Sequence, residues 1–517
     1  MSKHVRHFLP GYRITRPQSI WSVAAIAFAY SMSALTVMRL WFLSAPYPPG
    51  LDGAQWLSYG RALLGGTGRS TEGTYAPLIP ILAHGLSLGL GAALGLRVLA
   101  TLTLLLLVAA VWLLGVRVLG VTWGSLATAL VLPCTAIAEP FFYGGYPQQA
   151  SLAFGILGIT ALFSAQLADS QGYQTRALVL ASIGFLLASA CHLLFGPLLL
   201  ASGALAALGI AMGTAKRRRF LLKAAATLAP ATAVSLMIAF DFFRHGYSAP
   251  LAASQRTLQD AWVYATRESP GLWAAIVIGG IATASCCILR TAMLVRTGIA
   301  TGKLPDVIIA GFALTVPSGI LLFASGQPRL VPPLLLGGAM LFAFTCRWAA
   351  RTWGKALPIV LTTWCVAILW LASTTTELAR EFASYYQVLD ASLIAATHSI
   401  PPAEAGAIAV AADQRGWPVG WWFEALQERP VFTGSDPQWL AFPEERTRAD
   451  AAAALFASPN VQVLQERAGA LDVAYLVMRK WDWIGWDHWV NDRSADSVAI
   501  IYDDNETIIL EIGPVRP

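Results

Sequence analysis

Charge is what this sequence has least of. Asp, Glu, Lys and Arg make up 12% of its 517 residues, about half the share found in soluble globular domains. An ordinary water-exposed surface over most of the chain is thereby excluded. Cysteine is scarce as well: Cys134, Cys191, Cys286, Cys287, Cys346 and Cys365 all lie in apolar runs. That placement excludes a disulfide-stapled scaffold and leaves small buried hydrophobes. No CxxC pair and no His/Cys cluster offers zinc spacing. The basic N-terminus, MSKHVRHFLPGYRITRPQSI, runs into an apolar stretch with no small-residue cleavage site, so it reads as an uncleaved anchor rather than a signal peptide.

Long apolar runs are what the sequence does have, and its mean hydropathy is +0.58. Runs near 20–43, 97–116, 122–138, 149–168, 177–191, 193–212, 221–240, 271–289, 306–325, 331–346 and 356–374 are read as eleven membrane spans, each long enough for a hydrocarbon core of about 30 Å. The charges that remain are unevenly divided. Residues 1–377 carry 25 Lys and Arg against 9 Asp and Glu, whereas residues 378–517 carry 10 against 20. The expected division is therefore a basic transmembrane domain, 1–377, and an acidic water-soluble domain, 378–517. The basic residues cluster between apolar runs, which reads as loop charge that orients helices and not as nucleic-acid binding.

One apolar segment, YAPLIPILAHGLSLGLGAAL (75–94), contains two prolines and three glycines and makes a weak helix. If it crossed, every later loop would flip, and Lys216, Arg217, Arg218 and Arg219 would lie outside, against the positive-inside bias. It is expected to be a re-entrant or interface-lying helix. With eleven crossings the N-terminus is cytoplasmic and the C-terminal domain external, in a bacterial inner or plasma membrane. The same map gathers Asp52, Glu139, His192 and Arg329 on the external face. The polar loop 241–271 is expected to form a surface helix, either a lid or an inert connector. In the tail, GAIAVAAD and VAYLVMRK read as strands, PEERTRADAAAALFAS as a helix and SVAIIYDDNETIILEI as a hairpin, giving a small α/β domain.

Three stretches carry a resemblance. GLDGAQWLSYGRAL supplies an acid in the first external loop and is followed by YAPL; GLRVLATLTLLLLVAAVWLLGVRVLG has an arginine near each end; QPRLVPPLLL opens a late span with an arginine. Over about residues 20–345 the chain resembles the GT-C superfamily of polytopic glycosyltransferases, as in protein O-mannosyltransferases and lipid A aminoarabinose transferases. The resemblance implies a GT-C-like α-helical polytopic fold with an external α/β domain. It implies a polyprenyl-phosphate-linked sugar donor, a glycan, lipid or protein acceptor, Asp52 as the base and Arg329 as the phosphate partner. Asp52 is followed by Gly53 and not by the second acid of the familiar pair. No certain cofactor is implied, and a divalent metal stays open. Glu139 is the second candidate catalytic acid. His192, His84, Tyr143 and Tyr146 join Arg329 as candidate substrate-binding residues.

Plainer readings stand beside these: a solvated acid at 52, an arginine snorkelling to headgroups at 329, a helix-end acid at 139, a satisfied hairpin-tip histidine at 192, and interface aromatics at 143 and 146. Two other functions compete with transfer. One is a transporter or flippase of a lipid-linked saccharide, which would favour acids or broken helices at mid-membrane. The other is a non-catalytic assembly protein of cell-envelope polysaccharide synthesis.

Overall fold

The computed structural model describes residues 20–43, 47–66 except 49, 75–246 except 133, 169 and 215, residue 259, 305–352, 364–369 except 367, 379–401, and 406–513 except 484–485 and 492–497. Helix α1 (Ile20–Leu43) is apolar on every side. Its buried residues form one narrow stripe, Ala25, Ala29, Met32, Thr36 and Leu40, spaced three or four apart as a 3.6-residue helix requires when one face packs and the rest meets lipid. After it come α2 (Asp52–Leu63), α3 (Leu78–Leu90), α4 (Ala92–Leu119), α5 (Val121–Val131), α6 (Thr135–Tyr143), α7 (Tyr146–Gln166), α8 (Gln171–Cys191), α9 (Phe195–Met212), α10 (Arg217–Arg244), α11 (Asp306–Ser325), a 3₁₀ turn (Pro328–Leu330) and α12 (Val331–Thr352).

The chain is an integral membrane protein: among the described residues α1, α4, α7, α8, α9, α10, α11 and α12 are long and apolar enough to cross a bilayer, eight in all. These match eight of the eleven expected spans. The run 122–138 differs: it is two short helices, α5 and α6, the first ending at Val131 and the second starting at Thr135. The run 271–289 and the 241–271 loop beyond residue 246, residue 259 excepted, lie outside the described residues, as does most of 356–374. The awkward segment 75–94 yields α3, 13 residues long, or about 20 Å, which is short of a crossing. Gly91 ends it, and α4 starts at the next residue.

Basic groups tie the helix ends together on one face. The Arg117 guanidinium at the end of α4 lies 3.4 Å from Asp306 at the start of α11 and donates to the Phe163 carbonyl near the end of α7. Arg347 of α12 donates to the Leu119 carbonyl at 2.6 Å. Arg329 stands just before the other end of α12, 18 residues away, or about 27 Å along the axis. The two faces of the helical body are thus a bilayer's thickness apart.

The C-terminal part is α/β. A helix over 379–386 is followed by α13 (Ala391–Ser399), β1 (Ala407–Val410), α14 (Gly420–Gln427), β2 (Val431–Thr433), α15 (Pro443–Phe456), α16 (Val461–Leu471), β3 (Val473–Arg479), α17 (Asp487–Val490), β4 (Val498–Asp503) and β5 (Thr507–Ile512). The five strands run in the order β2-β1-β3-β5-β4. β1 pairs parallel with β2 and β3, and β5 pairs antiparallel with β3 and β4. Side chains alternate across the strands. Ile408, Val410, Tyr475, Val477 and Ile509 belong to one continuous core with the helical body. Ala407, Ala409, Leu476, Ile508 and Leu510 point the other way, into a second core with Leu455, Leu464 and Trp489. The sheet therefore sits directly on the face of the helical body where α2 begins.

Candidate active site

Asp52 is in the first turn of α2, where the partial positive charge of a helix N-terminus favours an anion. Two glycines let neighbouring backbone approach it. Gly50 has φ +104°, and a Cβ there would come 2.5 Å from the Phe142 carbonyl oxygen. Gly144 has φ +91°, and a Cβ there would lie 2.6 Å from the Gly53 nitrogen and 2.8 Å from the Asp52 Cβ. Both positions need the left-handed backbone that glycine adopts freely. The turn between α6 and α7 is thereby pressed against the start of α2, and the Trp56 indole closes the contact by donating to the Gly144 carbonyl at 2.6 Å.

Around Asp52 stand an arginine and a set of tyrosines. Asp52, Tyr75, Tyr143 and Tyr386 all lie within electrostatic reach of the Arg329 guanidinium, which sits 5.7 Å over the Tyr143 ring, within cation–π range. The Tyr143 hydroxyl donates to Gln148 Oε1 at 2.7 Å, and Gln148 Nε2 donates to the Arg329 carbonyl at 3.3 Å. Tyr386 donates to Glu139 Oε1 at 2.7 Å, and its ring lies 5.8 Å from that of Tyr143. Arg329 keeps exposed surface although protein groups crowd it from several sides, the condition of a side chain lining an open cleft.

Burial pushes the Asp52 carboxyl up to about 6, against the opposing pull of Arg329. A carboxylate so placed is ionised at neutral pH yet basic enough to take a proton. The Tyr146 hydroxyl is within reach of the Asp52 charge; it is buried and has no hydrogen-bond partner among the described residues. Burial, and secondarily Arg329, holds the His192 imidazole down at about 3, so the ring is neutral. Its Nδ1 accepts from the Leu194 and Phe195 backbone N–H groups at 3.0 and 3.3 Å, which caps α9 and leaves the ring proton on Nε2. The ring meets Tyr75 edge-on at 5.5 Å.

Of the residues singled out from sequence, the structure brings together Asp52, Arg329, Tyr143, Tyr146 and His192, with Glu139 joined through Tyr386. His84 is elsewhere: it packs on the far side of α2 beside Gly60, within reach of Arg61 and Glu428. Sequence reasoning missed Tyr75, Tyr386, Gln148 and Trp56. Gln148 carried a signal, a glutamine pair at the head of an apolar run; Tyr386 carried none. Among the described residues no three His, Cys, Asp or Glu side chains converge as a metal would need.

No protein-family model and no curated protein matches the sequence. Solved structures do match the fold. ArnT from Cupriavidus metallidurans in the apo state superposes with a TM-score of 0.59 at 12% identity, over 95% of this chain and 97% of that one. The chain shares the fold of ArnT. The same enzyme bound to undecaprenyl phosphate gives 0.57 at 12% identity, over 94% and 98%. The apo oligosaccharyltransferase of Archaeoglobus fulgidus gives 0.56 at 14% identity, over 89% of this chain and 70% of that one. The shared fold covers both the helical body and the sheet domain.

Proposed function

We propose that this chain is a membrane glycosyltransferase that moves a sugar from a polyprenyl-phosphate donor to an acceptor hydroxyl on the external face. The observation that carries the reading is a raised, partly buried carboxylate and an accessible guanidinium in one cleft, Asp52 and Arg329, on a fold shared with a protein solved with undecaprenyl phosphate. The acceptor oxygen attacks the anomeric carbon while Asp52 takes its proton. The bond from that carbon to the phosphate oxygen breaks, and its electron pair leaves with the phosphate. Arg329, as a planar fork of donors, binds the phosphate oxygens as negative charge develops. Glu139 fixes Tyr386, and Tyr143 and Tyr146 present hydroxyls to the donor sugar. His192 holds the start of α9 and offers Nε2–H.

In this reading residues 1–377 form the transmembrane domain and 378–517 an external domain over the cleft, with the basic face of the helical body cytoplasmic. Asp52→Asn tests the chemistry. The variant reaches the membrane at the wild-type level and transfers sugar from a polyprenyl-phosphate donor at least about a hundredfold more slowly, the scale of a lost general base. Wild-type transfer by that variant removes Asp52 from the mechanism. A protein that moves the lipid-linked sugar across the bilayer and never cleaves it would be the flippase instead.

A further inference from the structure

The helix that carries Asp52 is held from outside the helical body, and at both ends. Ahead of it, the Trp422 indole donates to the Gly50 carbonyl at 2.9 Å, two residues before Asp52, and the Gly50 N–H donates to the Tyr386 carbonyl at 2.7 Å. Trp422 is fully buried, with its ring against Gly53 and Tyr47 edge-on to it at 5.4 Å. At the far end, Arg61 is buried and donates to the Glu424 carbonyl at 3.3 Å and to the Ala425 carbonyl, and Glu428 stands 3.5 Å away. Those carbonyls belong to the last turn of α14, where a helix leaves acceptors unsatisfied and favours a cation. Gly50 and Arg61 are about 16 Å apart along α2. Contacts that far apart fix a helix against tilt as well as sliding, which one anchor would not do.

We propose that α14 of the C-terminal domain sets where Asp52 stands, by clamping α2 at its two ends, with Trp422 and Arg61 as positioning residues. The proposal rests on the reading of Asp52 as the base. It gives the sheet domain a part in the chemistry, since α14 is the crossover between the parallel strands β1 and β2 and any shift of the sheet is passed to α2. The clamp also gives a buried arginine a use in a chain so poor in charge: both terminal nitrogens of Arg61 donate to α14 carbonyls.

The test uses full-length protein in nanodiscs and three variants. Trp422→Phe keeps a ring and loses the donor; Arg61→Gln releases the other end. Trp489→Phe is the control: it loses a like indole–carbonyl bond, to Ser458 at 3.1 Å, in the sheet domain's second core, away from α2. Two quantities are read: hydrogen exchange of peptides covering 50–63, and the pH midpoint of undecaprenyl phosphate affinity, which senses the charge of Asp52 beside Arg329. The phosphate's own titration is common to all four proteins. Exchange in 50–63 is expected to rise about fivefold to tenfold in each clamp variant, the scale of one lost hydrogen bond, and the midpoint to move in both, while Trp489→Phe changes neither. Unchanged exchange in both clamp variants overturns the proposal, and so does faster exchange with an unmoved midpoint, since α14 would then hold the helix without setting Asp52. If the wild type binds no undecaprenyl phosphate at any pH, the transferase reading fails, and exchange alone still decides whether α14 clamps α2.

Discussion

At the scale of single residues, Asp52 is defined by two opposed forces. Burial raises its carboxyl to about 6 while Arg329 pulls the other way. As the proposed base, Asp52 works only when deprotonated, so transfer should increase with pH through about 6, and at pH 5 roughly a tenth of Asp52 is ionised. A pH–rate profile checks this. Arg329→Gln has two consequences of known sign. The donor loses a charged partner, which should raise its KM about tenfold to a hundredfold. Asp52 loses the charge that lowers its pKa, so the acid limb should move to higher pH. A KM effect with an unmoved limb would separate Arg329 from Asp52. These two residues were legible in the sequence because a lone acid and a lone arginine interrupt apolar surroundings. Tyr143 and Tyr146 were legible beside them, but Tyr75 and Tyr386 were not, since these two reach the cleft only through packing of segments some 300 residues apart.

At the scale of elements, apolar length fixes spans well, because a run of about 20 apolar residues has no other stable use. It is weakest where helices are short. The run 122–138 reads as one span and is two helices, and the second of them ends in the Gly144 turn that abuts Asp52. In the tail the strands follow from short apolar runs and the hairpin from its polar turn, whereas α16 went unread although Asn460 caps it, accepting from the Val463 N–H at 2.9 Å. Gly144→Ala tests the turn as an element. The left-handed backbone and the collision with Gly53 and Asp52 should cost about 1–3 kcal/mol, seen as a lower unfolding temperature together with lost transfer. Gly172→Ala, where a Cβ meets nothing within 4 Å, should leave both unchanged. Equal behaviour of the two variants would mean that the α6–α7 turn can relax without disturbing α2.

At the scale of the whole molecule, sidedness decides whether the cleft can meet its substrates. Arg117, Asp306 and Arg347 share one end of the helical body, and the Arg217–Arg219 run opens α10. Asp52, Arg329 and the sheet domain share the opposite end, about 27 Å away along α12. Cytoplasmic loops collect Lys and Arg, so the basic end should face the cytoplasm. The cleft and residues 378–517 should then face outward, where a lipid-borne donor and a water-borne acceptor can both reach Asp52. Alkaline phosphatase, which folds only outside, reads this when joined after residue 377 and separately at the C-terminus; both fusions should be active. A fluorescent protein that matures only in the cytoplasm should be bright at the N-terminus and dark at the other two sites. The reverse pattern would put Arg329 on the inner leaflet. The acceptor would then have to be cytoplasmic, and the sheet domain would have to work among cytoplasmic partners.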